Sequence, residues 1–596
     1  MVVVGIVLFF LFWFLPPASS AWDKIMYGTG YVCAALSFVC GLLFLFGLVP
    51  HNIQKSYDKA EQIVNDSEKL KQIEKRPAIS ALQNTLTFFI PVIAIVILGC
   101  IIWEYSWWNI GYLALFMAVY YIYKFIILLY VRMEIVMKLN KNIMEILHRK
   151  CTDYYFDMEQ FLKELIAIPS VMGKSKINMP YGENSAKVLD VFLKKAAELG
   201  FKTKNIDNYA GTIDIGEGKP ELGILCHLDV VDAGIGWNHP PFELTKSDGK
   251  LYGRGTTDDK GPAVSVLYGL KAAKETGLIK KPVRFIVGCN EENGSDDLEY
   301  YCKKEALPEK LYTPDGQYPV INIEKGMIRG KFSKKLAENS PKKYILKIHG
   351  GDTVNAVPSE AFAEICGFSE DEINIGNDFL YEDLKDSIKI ISKGVSAHAS
   401  TPENGKNALT KLIKFLSHLD FDNQISDTLK SLFEIFPYGE TNGEHAGVKC
   451  SNDKSGALTL VLSVLEFDGT NFEGIFDIRF PVSFKSDEIN SKIQKTLQSH
   501  GFDYECILAS EPHYVDENSD FVQSLLKVYE NLTGEKGKCI AIGGGTYVHN
   551  TIGGVAFGAE MPGKEYNIHC ADEYTVPEEM ILNAEMTANA VIEICG

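Results

Sequence analysis

The chain has 596 residues, with 77 Asp and Glu against 59 Lys and Arg and a formal net charge of -18 at pH 7. That length exceeds what one hydrophobic core organises, so two or more folded units are expected. The acidic balance leaves no cationic face for phosphate backbones, which argues against nucleic acid as a partner, and 13 scattered Cys without a CxxC pair fit a reduced compartment better than a disulfide framework.

The N-terminal quarter differs from the rest. Five of the six Trp (Trp13, Trp22, Trp103, Trp107 and Trp108) lie there. Tyr27 to Pro50 carries no charge for 24 positions, Leu86 to Trp103 none for 18, and Ile110 to Val131 only Lys124. Each is long enough to cross ~30 Å of hydrocarbon as a helix, and Lys124 lies near the end of its run, where it can snorkel. Val2 to Leu15 is shorter and reads as a first span, a signal-like anchor, or a cleaved signal peptide ending at the small residues Ala18 to Ala21, although no basic n-region precedes it. Lys and Arg collect in the loop His51 to Pro77 and after the last run (Arg132, Lys138, Lys141, Arg149, Lys150), which places the large C-terminal part in the cytoplasm.

Past residue 150 the pattern becomes that of a soluble protein. Met158 to Ile166 repeats apolar residues at spacings of three and four, an amphipathic helix, and a second helix from Ser185 to Leu199 stops at Gly200. Strand-like runs at Gly223 to Val231 and Val283 to Val287 flank a helix opening at Gly261-Pro262, the alternation of an α/β sheet covered on both faces. From about 331 to 511 strands dominate (Tyr344 to His349, Ala457 to Glu466, Phe472 to Phe480), with helices such as Asn407 to Leu419, and after Asp520 helix and strand alternate again. The expected organisation is a transmembrane region of three to four helices over 1–150, a catalytic domain over 151–330 and 512–596, and an α+β domain inserted over 331–511.

Three motifs carry chemistry. In Leu225-Cys-His-Leu-Asp, His227 and Asp229 share one face of a strand, so a carboxylate stands beside an imidazole that can bind zinc; alone, such a pair is more often structural. In Gly253-Arg-Gly-Thr-Thr-Asp-Asp-Lys-Gly-Pro, glycines permit a turn that delivers Asp258 to the front of a helix, where it either bridges two cations ~3.5 to 4 Å apart or, like Asp259, caps the helix. Phe285-Ile-Val-Gly-Cys-Asn-Glu-Glu ends an apolar strand in adjacent carboxylates, where α/β active sites gather. Gly543-Gly-Gly-Thr lacks the Lys and spacing of a phosphate loop and reads as a backbone wall of a pocket. Cys226, Cys289 and Cys570 stand next to these residues and are read as core thiols rather than ligands.

These motifs, in this order, together with Thr313-Pro-Asp, Asn355-Ala-Val-Pro, Ser396-Ala-His-Ala, Asp477-Ile-Arg, Gly543-Gly-Gly-Thr-Tyr and Asn567-Ile-His, resemble the zinc-dependent aminoacylase and carboxypeptidase superfamily, and most closely the peptidase V-like dipeptidases. The resemblance runs from about Asp157 to the C-terminus; family members are ordinarily soluble, so the N-terminal region departs from the pattern. It implies that His227, Asp258 and Asp315 hold one metal and Asp258, Glu292 and His569 another, with Asp229 orienting His227 and Glu291 as general base. The inserted domain is implied to act as a lid, His398 to stabilise the oxyanion, and Arg479 and Asn355 to bind the substrate carboxylate. The implied cofactors are two divalent ions, zinc in the first place with manganese or cobalt as alternatives. The expected partners are a dipeptide or short peptide and a lipid bilayer, and the expected function is metal-dependent dipeptide hydrolysis at a membrane. An N-acyl amino acid amidohydrolase and a non-catalytic peptide sensor are the alternatives.

Overall fold

The computed structural model describes residues 141–337, 342–369, 372–373, 378–421 and 424–596. The apolar runs read as membrane spans lie outside these residues. No helix among the described residues is long and apolar enough to cross a membrane.

Helix α1 (residues 141–166) buries Leu147, Cys151, Met158, Phe161, Leu162 and Leu165, one stripe at helical spacing. It is followed by α2 (Glu183–Glu198), β1 (Lys202–Ile206), β2 (Ala210–Ile215), β3 (Leu222–His227), α3 (Lys260–Thr276), β4 (Val283–Gly288), β5 (Lys310–Thr313) and β6 (Val320–Glu324). The chain then enters a second sheet made of β7 (Gly326–Lys335), β8 (Tyr344–Gly350), β9 (Glu360–Cys366), β10 (Phe379–Asp383), β11 (Ile388–Lys393), β12 (Thr459–Phe467), β13 (Asn471–Phe480) and β14 (Asp503–Ser510), with helices α4 (Ala408–Leu416), α5 (Gln424–Ile435) and α6 (Ser486–Ser499). It returns through β15 (His513–Tyr514), α7 (Asp520–Thr533), β16 (Cys539–Ile542), β17 (Gly554–Ala556) and α8 (Pro577–Cys595).

The first sheet has the order β1-β2-β4-β3-β5-β17-β6-β15, with β16 also on β6. It is mixed: β4, β3, β5 and β17 run parallel to one another, whereas β2 pairs antiparallel with β4 and with β1, and β6 pairs antiparallel with β17 and with β15. Every residue of β3 is buried, as expected of a strand covered on both faces. On one face α3 and α8 pack closely enough that a Cβ on Gly269 would lie 2.4 Å from the Ala584 carbonyl oxygen. The second sheet, β10-β11-β9-β8-β12-β13-β7-β14, is antiparallel throughout. Along β7 buried and half-exposed residues alternate, so one face packs on helices while the other is left open. At the crossing between the sheets, the Ser510 hydroxyl lies 2.8 Å from Nε2 of His549, whose Nδ1 lies 3.0 Å from Glu324.

Candidate dinuclear metal centre

The carboxyl ends of three adjacent parallel strands, β4, β3 and β5, converge at one edge of the first sheet. β3 ends on His227 with Asp229 two residues beyond, β4 leads into a short 3-10 turn holding Glu291 and Glu292, and Asp315 follows β5 by two residues. Such an edge is where open α/β sheets place their sites. Asp258 arrives from the loop before α3, and His569 from the connection between β17 and α8.

Two three-residue groups result, His227 with Asp258 and Asp315, and Asp258 with Glu292 and His569, each with donor atoms within 4.8 Å of one another. Asp258 belongs to both: Oδ1 lies 2.9 Å from Nε2 of His227 and Oδ2 lies 2.9 Å from Nε2 of His569, which is also 3.0 Å from Glu292. Nδ1 of His227 lies 3.0 Å from the Asp229 carbonyl, which can only accept, so Nδ1 carries a proton and Nε2 is the nitrogen turned toward Asp258 and Asp315. That Nε2 is buried and has no hydrogen-bond partner. An imidazole nitrogen left bare among carboxylates fits a divalent cation, and two sets of N and O donors sharing one carboxylate fit a pair of them.

The charges point the same way. Burial disfavours ionisation of Asp258, yet His227 and His569 beside it hold its carboxyl below the usual range. Burial opposes a charge on His569 as well, but Asp258 and Glu292 push it up to about 11. Burial, reinforced chiefly by Asp258, raises Asp315 far above the usual range, and burial with Glu292, Asp258 and Asp229 does the same for Glu291. So many carboxylates in one cleft call for added positive charge.

Asp229 stands beside His227 with both its carbonyl and its carboxylate: Nδ1 of His227 lies 3.0 Å from the carbonyl oxygen and 3.4 Å from Oδ1. The same fully buried carboxylate also accepts the N–H groups of Glu291 and Glu292, each at 3.2 Å. It therefore sets the turn that presents both glutamates. Asp259 occupies the N-cap position of α3 without capping it; Oδ2 instead accepts the His227 N–H at 3.0 Å. Cys226 and Cys289 are buried, but Cys570 is exposed, because it sits in an open loop rather than on a strand, and none of the three joins a metal-ligand group.

Asn355, His398 and Arg479 lie in the inserted domain. Asn355 is beside His398, since its carbonyl accepts the Ala399 N–H and Ala356 bridges to His398. Nδ1 of His398 is 2.7 Å from the Ser400 hydroxyl, and burial together with the Arg479 charge lowers its pKa. Arg479 is 3% exposed and already engaged: Nε and Nη2 bind Asp477 at 2.6 and 3.1 Å, and Nη1 donates to the Gly543 carbonyl at 2.6 Å. The bidentate partner of Arg479 in this structure is thus Asp477, which also accepts from Arg329 across the strand pair. The spacing of Asp477 and Arg479, two apart on one strand face, carried that signal.

The sequence reading passed over Glu573. It is fully buried, and Oε1 accepts the N–H groups of Gly255, Thr257 and Asp258 at 3.0, 2.9 and 3.2 Å, while Oε2 accepts from Arg254 at 2.7 Å.

A mixed α/β sheet that gathers such donors at its strand ends, with an antiparallel domain inserted beside them, defines a metallohydrolase. The model of peptidase family M20/M25/M40 matches residues 223–593, and the chain belongs to that family; it is a metallopeptidase. It is 34% identical over 468 residues to YtjP of Bacillus subtilis (strain 168), a candidate dipeptidase by its description, covering 75% of this chain and 98% of that protein. It is 32% identical over 453 residues to the Beta-Ala-Xaa dipeptidase of Lactobacillus delbrueckii subsp. lactis, covering 73% and 95%. Among solved structures, human carnosine dipeptidase 1 matches with a TM-score of 0.49 at 14% identity, over 76% of this chain and 98% of that one.

Proposed function

We propose that the protein is a membrane-anchored dipeptidase that hydrolyses short peptides with a free amino end, using two divalent ions and Glu291 as general base. The observation that carries this reading is the pair of donor groups sharing Asp258, with Glu291 on the same turn as the ligand Glu292. The dipeptidase relatives support the substrate class.

Two divalent ions bound here would supply polarisation of the scissile carbonyl and acidification of the attacking water. His227 and Asp315 would hold one, Glu292 and His569 the other, and Asp258 would serve both. Glu291 takes the proton from the attacking water at its carboxylate and hands it to the leaving amine. Asp229 keeps that carboxylate in place through the backbone. From the inserted domain, His398 offers a donor to the developing oxyanion, and Asn355 with a free Arg479 N–H takes the terminal carboxylate of the substrate. A carboxylate site at fixed separation from the ions selects short peptides.

The anchoring part of the proposal rests on the long apolar runs at 27–50, 86–103 and 110–131, and the cytoplasmic placement of the enzyme on the flanking Lys and Arg. Carbonate extraction and protease shaving of sealed vesicles test it; release of the chain by carbonate refutes it. The activity is tested with the full-length chain purified in detergent, stripped of metal, and given zinc or manganese with dipeptides, tripeptides and N-acetyl amino acids. Cleavage restored by metal and confined to dipeptides is expected. Cleavage of acylated substrates alone means an amidohydrolase, and silence from folded, metal-loaded protein means a sensor. Near-normal turnover in Glu291→Gln would refute the general-base step.

A further inference from the structure

The segment Gly253 to Asp258 is held to the far end of the chain by a set of bonds that hydrolysis does not use. Glu573 follows the ligand His569 by four residues and joins neither metal-ligand group. Its carboxylate receives three backbone N–H groups from Gly255, Thr257 and Asp258 on one oxygen and the Arg254 guanidinium on the other. The same stretch adds two bonds: the Glu573 carbonyl accepts the Gly253 N–H at 2.9 Å, and the Tyr574 carbonyl accepts the Thr257 hydroxyl at 2.6 Å. Gly255 has a φ of 91°, a conformation open to glycine, and with it the N–H groups of the loop converge into an anion-binding concavity. Glu573 is the anion that fills it.

A fully buried carboxylate is costly unless its charge is met, and here three N–H donors and a guanidinium meet it. The last of those donors belongs to Asp258, the residue shared by both ligand groups. The geometry points to Glu573 as a positioning residue that sets the Asp258 carboxylate against His569, so that the affinity for both ions depends on a side chain that touches neither. The inference rests on the two-ion reading of the site.

The test is Glu573→Gln in the full-length chain, with zinc affinity measured by competition against a chelating dye and coordination followed by the visible spectrum of the cobalt-loaded protein. Glutamine keeps the size, but whichever way its amide lies, an NH2 faces either the three N–H donors or Arg254. Loss of about 10- to 100-fold in affinity for both ions is expected, the range seen when supporting partners of ligands are removed, with an altered cobalt spectrum. Asp214→Asn, which breaks the pair with Arg284 on the same sheet, is the control; it lowers stability without changing zinc affinity. If Glu573→Gln behaves like that control, the inference is overturned. Should Glu573→Gln not fold, Glu573→Asp, which keeps the charge one methylene short, is expected to show a smaller loss in the same direction, and wild-type affinity in it overturns the inference. Wild-type protein that binds no zinc refutes instead the function proposed above.

Discussion

Replacing Asp229 by Asn tests how the two glutamates are held. The wild-type carboxylate takes one N–H on each oxygen, from Glu291 and Glu292, at 3.2 Å in a fully buried position. An asparagine has one oxygen and one NH2, so one of the two N–H groups must face a donor whichever way the amide is turned. A buried donor left unpaired costs about 1 to 3 kcal/mol, and loss of the charge weakens the surviving bond by roughly 1 kcal/mol more. Ion-free Asp229→Asn should thus be about 2 to 4 kcal/mol less stable, read as a lower urea midpoint with unchanged slope. Because the displaced turn carries Glu292, zinc affinity should fall by about 10- to 100-fold as well. A stability change under about 0.5 kcal/mol, within the usual scatter of harmless substitutions, would show that Asp229 does not hold the turn.

Four further outcomes are expected. His398→Ala should lower kcat by about 10²- to 10³-fold while leaving the thermal midpoint unchanged, since the hydrogen bonds of its ring are confined to Ser400; steady-state kinetics and a melting curve check both. Arg479→Ala should destabilise by about 3 to 5 kcal/mol in urea unfolding, because fully buried Asp477 is left with Arg329 alone. Burial, with the charge on Asp229 adding to it, lifts Asp297 to about 6 from 3.8. The folded state therefore holds this proton more tightly than the unfolded chain, and stability falls as pH rises from about 4 to about 6; the difference in urea midpoint between wild type and Asp297→Asn should change over that window and be constant above it. Chelation should lower the melting temperature, and added zinc should restore it in proportion to the logarithm of its free concentration.

Much of the fold is legible in periodicity. The strand-like run Gly223 to Val231, the helix from Gly261-Pro262 and the run Phe472 to Phe480 correspond to β3, which ends four residues sooner at His227, and to α3 and β13, because burial on two faces, one stripe or one face leaves distinct repeats. The helix expected over Asn407 to Leu419 is shorter, Ala408–Leu416, with the Asn407 side chain capping it through the N–H groups of Leu409 and Thr410. Site residues are legible where two or more share a short stretch, as with Glu291 and Glu292 at the end of β4. Glu573 was not, because a carboxylate that binds backbone N–H groups 315 to 318 positions away has no local pattern to give it away. The engagement of Arg479 with Asp477 was legible as a shared strand face but not as a bidentate pair, because a guanidinium has five donors and sequence does not say how they are divided.

The contact at Gly543 governs how wide the working cleft can be. A Cβ there would lie 2.4 Å from that of Ser400, the residue bonded to His398, while the Gly543 carbonyl holds Arg479. The absence of a single methyl group is what lets the two domains meet with His398 and Arg479 in place. Alanine at 543 would act as a shim, pushing His398 and Arg479 back together and lengthening the gap they share with the metal ligands. The preferred peptide length would then be a distance set by one missing carbon atom, adjustable at a position whose side chain contacts no metal ligand.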